Sequence, residues 1–190
     1  MIDKAALRAE MRLRRKALAD TTPWAGEGLA AHASTILNLH EAAAPVIAFY
    51  CPQGSEIDPT ALAHALIERG ARLALPVVVD RAAPLIFRAW TPDEPLEEDL
   101  AGCPSPLELA EVVTPDVILT PLIAFDARGG RLGQGGGYYD RTFQALRDRS
   151  PRPRLIGLAF AGQEVGRLPM ESHDQPLDGV LTESGYRAFA

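Results

Sequence analysis

Residues 45–79, PVIAFYCPQGSEIDPTALAHALIERGARLALPVVV, decide the fold, because two apolar runs flank a helical segment. Residues 46–50 are nearly continuous in apolar side chains, as in a strand that is covered on both faces. Residues 59–69 are predicted to form a helix closed by Gly70, and residues 72–79 a second strand. This order of strand, helix and strand predicts a right-handed parallel crossover unit.

The same order of elements continues on both sides of this unit. Further strands are predicted at 85–90, 117–120, 155–160 and 180–182, and helices at 3–19, 23–39 and 138–148. The segment 92–115 is rich in proline and acidic residues and is predicted to be an irregular excursion over the surface. The sequence thus indicates one α/β domain over residues 1–190, with three α/β/α layers and a mostly parallel central sheet.

Composition excludes several classes of protein. A chain of 190 residues with 47% apolar residues is long enough to bury its own core. It contains no run of about 20 apolar residues and no apolar signal-peptide core, so we expect a cytoplasmic protein with no membrane partner. Its two cysteines, Cys51 and Cys103, are far apart in sequence, and its four histidines lack paired metal-ligand spacing. A disulfide framework and a zinc centre are therefore disfavoured.

Positive charge is concentrated at the N-terminus. Residues 4–16 hold six basic groups against one acid, Glu10, whereas the whole chain has a net charge of -6. On the predicted helix 3–19, with Asp3 as its N-cap, an apolar face carries Leu7, Met11 and Leu18, and a neighbouring stripe carries Lys4, Arg8, Arg12 and Arg15. An acidic protein with such a stripe favours a small anionic ligand over nucleic acid. The alternative is that the stripe only increases solubility.

The segment 131–141, RLGQGGGYYDR, is the most informative motif. Four glycines in five positions directly before a predicted helix let backbone N–H groups approach an anion without obstruction by Cβ atoms. The positive end of the helix adds to this attraction, and Arg131 or Arg141 can add a charge-assisted bond. The motif is neither a P-loop nor a well-placed dinucleotide fingerprint. A phosphate-binding loop is predicted, with a flexible turn as the alternative.

Two aspartates are candidate magnesium ligands. Asp140 lies near the first turn of the helix after the glycines, and Asp174 lies on a loop that precedes the strand 180–182. Carboxylates together with phosphate oxygens suit Mg²⁺. Asp140 can alternatively serve only to complement the helix dipole.

The loop 131–141, preceded by Phe125-Asp126, resembles the signature of the 5-formyltetrahydrofolate cyclo-ligases, also called methenyltetrahydrofolate synthetases. The similarity extends over almost the whole chain. Further matches in family order are Lys4 with Arg8, Arg14-Arg15, residues 50–52 through 56–58, Leu75-Pro76, residues 157–160 with Gln163, and His173-Asp174 followed by Asp178. Some members carry a lysine where this chain has Gly136, so the phosphate charge must here come from Arg131 or the N-terminal helix.

The resemblance implies a fold like those of ribose-5-phosphate isomerase and coenzyme A transferases. It also implies conversion of 5-formyltetrahydrofolate and ATP to 5,10-methenyltetrahydrofolate, ADP and phosphate, with Mg²⁺ as cofactor. We expect the protein to be a monomer. The implied ATP-binding residues are Lys4, Ala5, Ala6, Leu7, Arg8, Arg131, Leu132, Gly133, Gln134, Gly135, Gly136, Gly137, Tyr138 and Tyr139, of which Arg131 and Tyr139 are the catalytic candidates. The implied folate-binding residues are Cys51, Glu56, Gln134, Gly135, Gly136, Gly137 and Tyr138, and the implied magnesium ligands are Asp140 and Asp174.

Three alternatives stay open on the sequence alone. Without the resemblance, Glu56 is more simply a solvated loop residue. The scaffold also suits a sugar-phosphate isomerase or a coenzyme A transferase, neither of which hydrolyses ATP. A nucleotide- or folate-binding regulator without turnover is the third alternative.

Overall fold

The computed structural model describes residues 3–171 and 174–189. Within them the helices are α1 (Lys4–Thr21), α2 (Ala25–Ala30), α3 (Ala33–Leu37), α4 (Thr60–Ile67) and α5 (Tyr138–Leu146), with one 3-10 turn at Ala161–Gln163. The strands are β1 (Val46–Ala48), β2 (Arg72–Val77), β3 (Ile86–Ala89), β4 (Leu96–Glu98), β5 (Pro104–Pro106), β6 (Val112–Val113), β7 (Val117–Pro121), β8 (Ala124–Asp126), β9 (Arg131–Leu132), β10 (Arg154–Leu158), β11 (Glu164–Val165), β12 (Gly179–Thr182) and β13 (Gly185–Ala188).

The main sheet has the strand order β13-β12-β10-β7-β1-β2-β3-β6. The five strands from β12 to β2 run parallel, and β13, β3 and β6 add antiparallel edges. In the predicted crossover unit, β1 and β2 are parallel neighbours, with Ile47 opposite Leu73. The prediction of a mostly parallel α/β sheet is therefore confirmed.

Side chains alternate between the two faces of this sheet. Ile47, Leu73 and Leu119 pack with the apolar residues of α2, α3 and α4, such as Leu66. On the opposite face, Ala48, Ala74 and Ile118 pack with Phe143 of α5. Helices this short are stable mainly through such packing, since burying one leucine contributes about 1.5–3 kcal/mol. The helices thus form the outer layers of the predicted three-layer arrangement.

Helix α1 packs against a smaller sheet with the order β11-β8-β9. Its Met11 is buried with Ile123, Leu132 and Leu168, and Leu7 adds to this cluster. The Asp3 carboxylate caps α1 by accepting a hydrogen bond from the Ala5 N–H at 2.8 Å. The predicted amphipathic helix and its cap are confirmed. Strand β9 leads directly into residues 133–137, which we call the glycine loop. The packing of α1 therefore fixes this helix beside the glycine loop.

Two predicted segments differ in the structure. The single helix expected over 23–39 is instead α2 and α3, and α2 contains Gly26 and Gly28, which are poor helix formers. The segment 92–115, predicted to be irregular, forms a β4–β5 hairpin, and its strand β6 pairs with β3. Pro104 and Pro106 are tolerated in β5 because it belongs to a sheet of only two strands. Among the described residues, no helix combines the length and apolar character needed to span a bilayer.

Candidate functional site

One cavity of about 560 Å³ lies at the carboxyl ends of β1, β2 and β7, where open α/β sheets usually bind ligands. Tyr50 and Cys51 follow β1, Val78 follows β2, and Pro121 ends β7. The glycine loop forms one wall, and α1 contributes Lys4 and Arg8. The sheet topology thus gathers most of the predicted site residues into one space.

The glycine loop joins β9 to α5 in a conformation that requires glycine. Gly137 is the N-cap of α5 with φ 68°, and Gly135 has φ 105°, both in the left-handed region. The Gly133 carbonyl accepts a hydrogen bond from Arg8 Nε at 2.9 Å, and the Gly136 carbonyl accepts one from Arg141 Nη1 at 3.1 Å. Because arginines hold the loop at both ends, it is more than a flexible turn.

The basic stripe of α1 faces this loop, as the helical spacing predicts. Arg12 donates to Gln134 Oε1 from Nε at 3.2 Å and from Nη2 at 2.8 Å. The Arg8 guanidinium also lies beside Gly135, with its Cζ 3.7 Å from the position that a Cβ atom would occupy there. These contacts show that the stripe does more than increase solubility.

Carboxylates and cations alternate at one end of the cavity. Arg131 Nη2 lies 2.6 Å from Asp140 Oδ1, and Lys4 Nζ lies 3.0 Å from Asp174 Oδ2 and 2.9 Å from Glu171 Oε1. Burial acts to lower the pKa of Lys4, but the hydrogen bonds with Glu171 and Asp174 outweigh it and raise the pKa. Lys4 therefore carries its positive charge at neutral pH.

Asp140 and Asp174 are brought together by the chain between α5 and β12. The Gln175 N–H, next to Asp174, donates to Asp140 Oδ1 at 3.1 Å, and Arg131 also donates to the Gln175 carbonyl. No group of three or more potential metal-ligating side chains occurs in residues 3–171 and 174–189. Two carboxylates are nevertheless a suitable donor set for Mg²⁺ when phosphate oxygens and water complete its shell.

Glu56 lies inside the cavity. Its side chain is 7% exposed, with Oε2 accepting the Gln53 N–H at 3.0 Å and Oε1 lying 3.4 Å from both Arg15 Nη1 and Gln134 Nε2. The description of Glu56 as a solvated loop residue is therefore wrong. Its contact with Gln134 also places it beside the glycine loop.

Three tyrosines line the cavity with Glu56, and two of them, Tyr50 and Tyr139, have raised pKa values. Burial raises the pKa of Tyr139, with a further increase from the negative charge of Glu56, although a hydrogen bond with the Thr120 side chain opposes it. Burial followed by Glu56 likewise raises the pKa of Tyr50, whose hydroxyl donates to the Ile57 carbonyl at 2.7 Å. The phenol of Tyr139 is therefore protonated at neutral pH.

Comparison with known proteins identifies the family to which this chain belongs. The sequence model described as the 5-formyltetrahydrofolate cyclo-ligase family matches residues 1–183. The chain belongs to this family. The expectation drawn from the glycine motif is thus confirmed, and the chain is a member of an enzyme family.

Individual cyclo-ligases and solved structures agree with the family match. The 5-formyltetrahydrofolate cyclo-ligase of Escherichia coli K12 is 34% identical over 181 residues, covering 92% of this chain and 97% of that protein. The Haemophilus influenzae cyclo-ligase is 38% identical over 140 residues, covering 71% and 74%. The NMR structure of Aquifex aeolicus 5,10-methenyltetrahydrofolate synthetase superposes with a TM-score of 0.78 at 28% identity, covering 97% of this chain and 92% of that one.

Not every residue implied by the cyclo-ligase resemblance reaches the cavity. Lys4, Arg8, Cys51, Glu56, Asp174 and the whole run Arg131 to Asp140 line it. Ala5 and Ala6 are exposed, and Leu7 packs against the small sheet, so these three do not line it. His173 lies outside the described residues.

Sequence reasoning missed the cavity wall formed by residues 99–104. Asp99 Oδ2 accepts the Val78 N–H at 2.8 Å, and Cys103 Sγ accepts a hydrogen bond from Gln53 Nε2 at 3.0 Å. Cys51 and Cys103, far apart in sequence, both line the cavity as free thiols. Burial raises the pKa of each thiol. No local signal identifies this wall, because its contacts link residues up to 50 positions apart.

Proposed function

We propose that the protein closes the ring of 5-formyltetrahydrofolate to give 5,10-methenyltetrahydrofolate, with conversion of ATP to ADP and phosphate. The observation that carries this proposal is the single cavity that joins the glycine loop and its cations to the buried Glu56 carboxylate. A volume of about 560 Å³ is within the usual range for small-molecule sites. An anion-binding end and a hydrogen-bonding end in one space suit a reaction between a nucleotide and a folate.

In the proposed reaction, the formyl oxygen of the folate attacks the γ-phosphorus of ATP, and ADP leaves. N10 of the folate then attacks the activated formyl carbon, loses its proton, and the former formyl oxygen departs with phosphate. Such chemistry needs alignment and charge neutralisation more than a nucleophilic side chain. The described residues around the glycine loop supply both.

Each side chain has a role that follows from its position. Lys4, Arg8 and Arg131 neutralise phosphate charge, and backbone N–H groups of the glycine loop bind phosphate oxygens. Tyr139 donates a hydrogen bond to the formyl oxygen, which later departs with phosphate. The raised pKa of Tyr139 keeps its phenol protonated. Glu56 accepts hydrogen bonds from the N–H groups of the pterin ring.

Asp140 and Asp174 would hold Mg²⁺ at the phosphate end. The ion would supply charge neutralisation of phosphate oxygens. Asp140 lies beside Arg131 and Asp174 beside Lys4, so the same cations would also be close to the phosphate oxygens.

The test is a spectrophotometric assay with purified protein, 5-formyltetrahydrofolate, ATP and Mg²⁺. We expect methenyl absorbance to appear only when all four components are present, with one ADP formed per product. A folded protein that binds both ligands without forming methenyltetrahydrofolate would instead be the noncatalytic regulator. ATP-independent conversion of another substrate would favour the isomerase or transferase alternative, which family membership already disfavours.

A further inference from the structure

Arg15 is the one member of the basic stripe that is buried, with 5% of its surface exposed. Its Nε donates to Ser55 Oγ at 3.1 Å, and its Nη1 lies 3.3 Å from the Leu122 carbonyl oxygen and 3.4 Å from Glu56 Oε1. One guanidinium therefore joins α1, the loop after β1 and the connection between β7 and β8.

A buried guanidinium is a costly choice for packing alone. Removing an arginine from water costs several kcal/mol unless its partners are well placed, and an apolar residue of similar volume often stabilises a fold better. Met11 and Leu18 on the same helix show that apolar side chains fill the neighbouring contacts. Packing alone therefore does not explain why a charged residue occupies position 15.

The geometry of Glu56 provides an explanation. The Gln53 N–H, at 3.0 Å, satisfies Oε2, whereas within residues 3–171 and 174–189 Oε1 has only the contacts at 3.4 Å with Arg15 and Gln134. An oxygen with contacts this long keeps its capacity for a short hydrogen bond from a ligand. Arg15 and Gln53 together fix the carboxylate plane without consuming that capacity.

We propose that Arg15 is a positioning residue for the folate end of the cavity, holding the Glu56 carboxylate where it accepts N–H donors of the pterin ring. This inference rests on the proposed function. Lys4 and Arg15 are about 16 Å apart along α1, at about 1.5 Å per residue. The same rigid helix therefore fixes the phosphate end through Lys4 and Arg8 and the folate end through Arg15.

The first test compares Arg15→Met, Arg15→Lys and the control Arg14→Met. Arg14 is exposed on the same helix. We expect Arg15→Met to raise the calorimetric Kd and the KM for 5-formyltetrahydrofolate at least about tenfold, as for loss of a buried charge partner. The Kd for ATP should change less than about twofold, Arg15→Lys should recover part of the folate affinity, and Arg14→Met should match wild type.

A double-substitution cycle separates positioning from general stability. In a Glu56→Gln background, Arg15→Met should add less than about threefold to the folate Kd, because its effect acts through Glu56. Additive effects, an equal loss of ATP affinity, or unchanged folate affinity would overturn the inference. Should Arg15→Met not fold, Arg15→Lys in both backgrounds gives the same comparison.

The inference and the proposed function fail in different ways. Wild-type protein that binds 5-formyltetrahydrofolate without cyclising it contradicts the function, while the Kd comparison still judges Arg15. Wild-type protein that cyclises folate, with Arg15→Met equal to Arg14→Met, contradicts only the role of Arg15. Wild-type protein without folate affinity overturns both.

Discussion

Asp140 is the carboxylate on which the proposed phosphate chemistry depends. It occupies the first turn of α5, where it interacts with Arg131 and with the Gln175 N–H. If it holds Mg²⁺, Asp140→Asn should lower Mg²⁺-dependent turnover at least about a hundredfold while the melting temperature changes little. The control is Asp148→Asn, which alters an exposed carboxylate beyond the end of α5. Unchanged turnover in Asp140→Asn would show that this residue only complements the helix dipole.

Tyr139 tests the hydrogen-bond donor in the proposed mechanism. Removing its hydroxyl in Tyr139→Phe should lower kcat by about 10–100-fold, as for loss of one donor to developing charge, with little change in either KM. Burial, with Glu56 adding to it, raises the pKa of Tyr139 above its ordinary 10.0, so its ionisation should not reduce activity below pH 10. This assignment would be contradicted if the wild-type rate declined with rising pH below pH 10 and the decline were absent in Tyr139→Phe.

Asp126 is a buried carboxylate that stabilises the entry to the glycine loop. It accepts hydrogen bonds from the N–H groups of Arg128, Gly130 and Leu168 at 2.9–3.0 Å and from the Arg128 side chain. Burial alone would raise the pKa of Asp126, but these donors outweigh it and lower the pKa below its ordinary 3.8. The ionised carboxylate therefore adds stability above pH 3.8, and that stability is lost as pH falls through the folded-state pKa.

We accordingly expect Asp126→Asn to lower the free energy of unfolding by about 2–4 kcal/mol at pH 7. Urea denaturation at several pH values measures this quantity, with exposed Asp20→Asn as the control. The difference from wild type should shrink below pH 3.8, because the wild-type carboxylate also becomes protonated there. A difference that does not depend on pH would contradict the role of the charge.

At the scale of elements, the glycine loop is proposed to bind an anion and is also closely packed. A Cβ atom at Gly136 would lie 3.0 Å from two ring carbons of Tyr138 and would project beside the predicted phosphate positions. Gly136→Val should therefore raise the Kd for ATP at least about tenfold while lowering the melting temperature by only a few degrees. Isothermal titration and thermal denaturation measure the two effects.

Gly166→Val is the matched control for this loop, because Gly166 lies outside the cavity and has open space around it. Its affinity for ATP should equal that of wild type. Equal ATP affinity in Gly136→Val would mean that the phosphates do not approach this part of the loop.

Across the whole molecule, local sequence signals predicted the parts that depend on neighbouring residues. The apolar run 46–50, the amphipathic pattern of α1 and the glycines before α5 each reflect local geometry, and the structure contains all three elements. The hairpin β4–β5 and the pairing of β6 with β3 were not predicted, because contacts with distant strands determine them. The burial of Arg15 was not predicted for the same reason, because it depends on contacts with the distant residues Ser55 and Leu122.

The single domain, the monomeric state and the cytoplasmic location stay predictions for the whole molecule. Sedimentation equilibrium across a range of protein concentrations, with and without ATP, tests the oligomeric state. One species at the mass of a single 20.5 kDa chain is the expected result. A dimer at every concentration would contradict it.

We predict that backbone N–H groups of a nearly side-chain-free loop, aided by Lys4, Arg8 and Arg131, bind the triphosphate of ATP. The most direct measurement is a crystal structure with Mg²⁺, 5-formyltetrahydrofolate and a non-hydrolysable ATP analogue. We predict phosphate oxygens within about 3 Å of the N–H groups between residues 133 and 138, with the ion on Asp140 and Asp174. A nucleotide bound away from residues 131–140 would contradict the account.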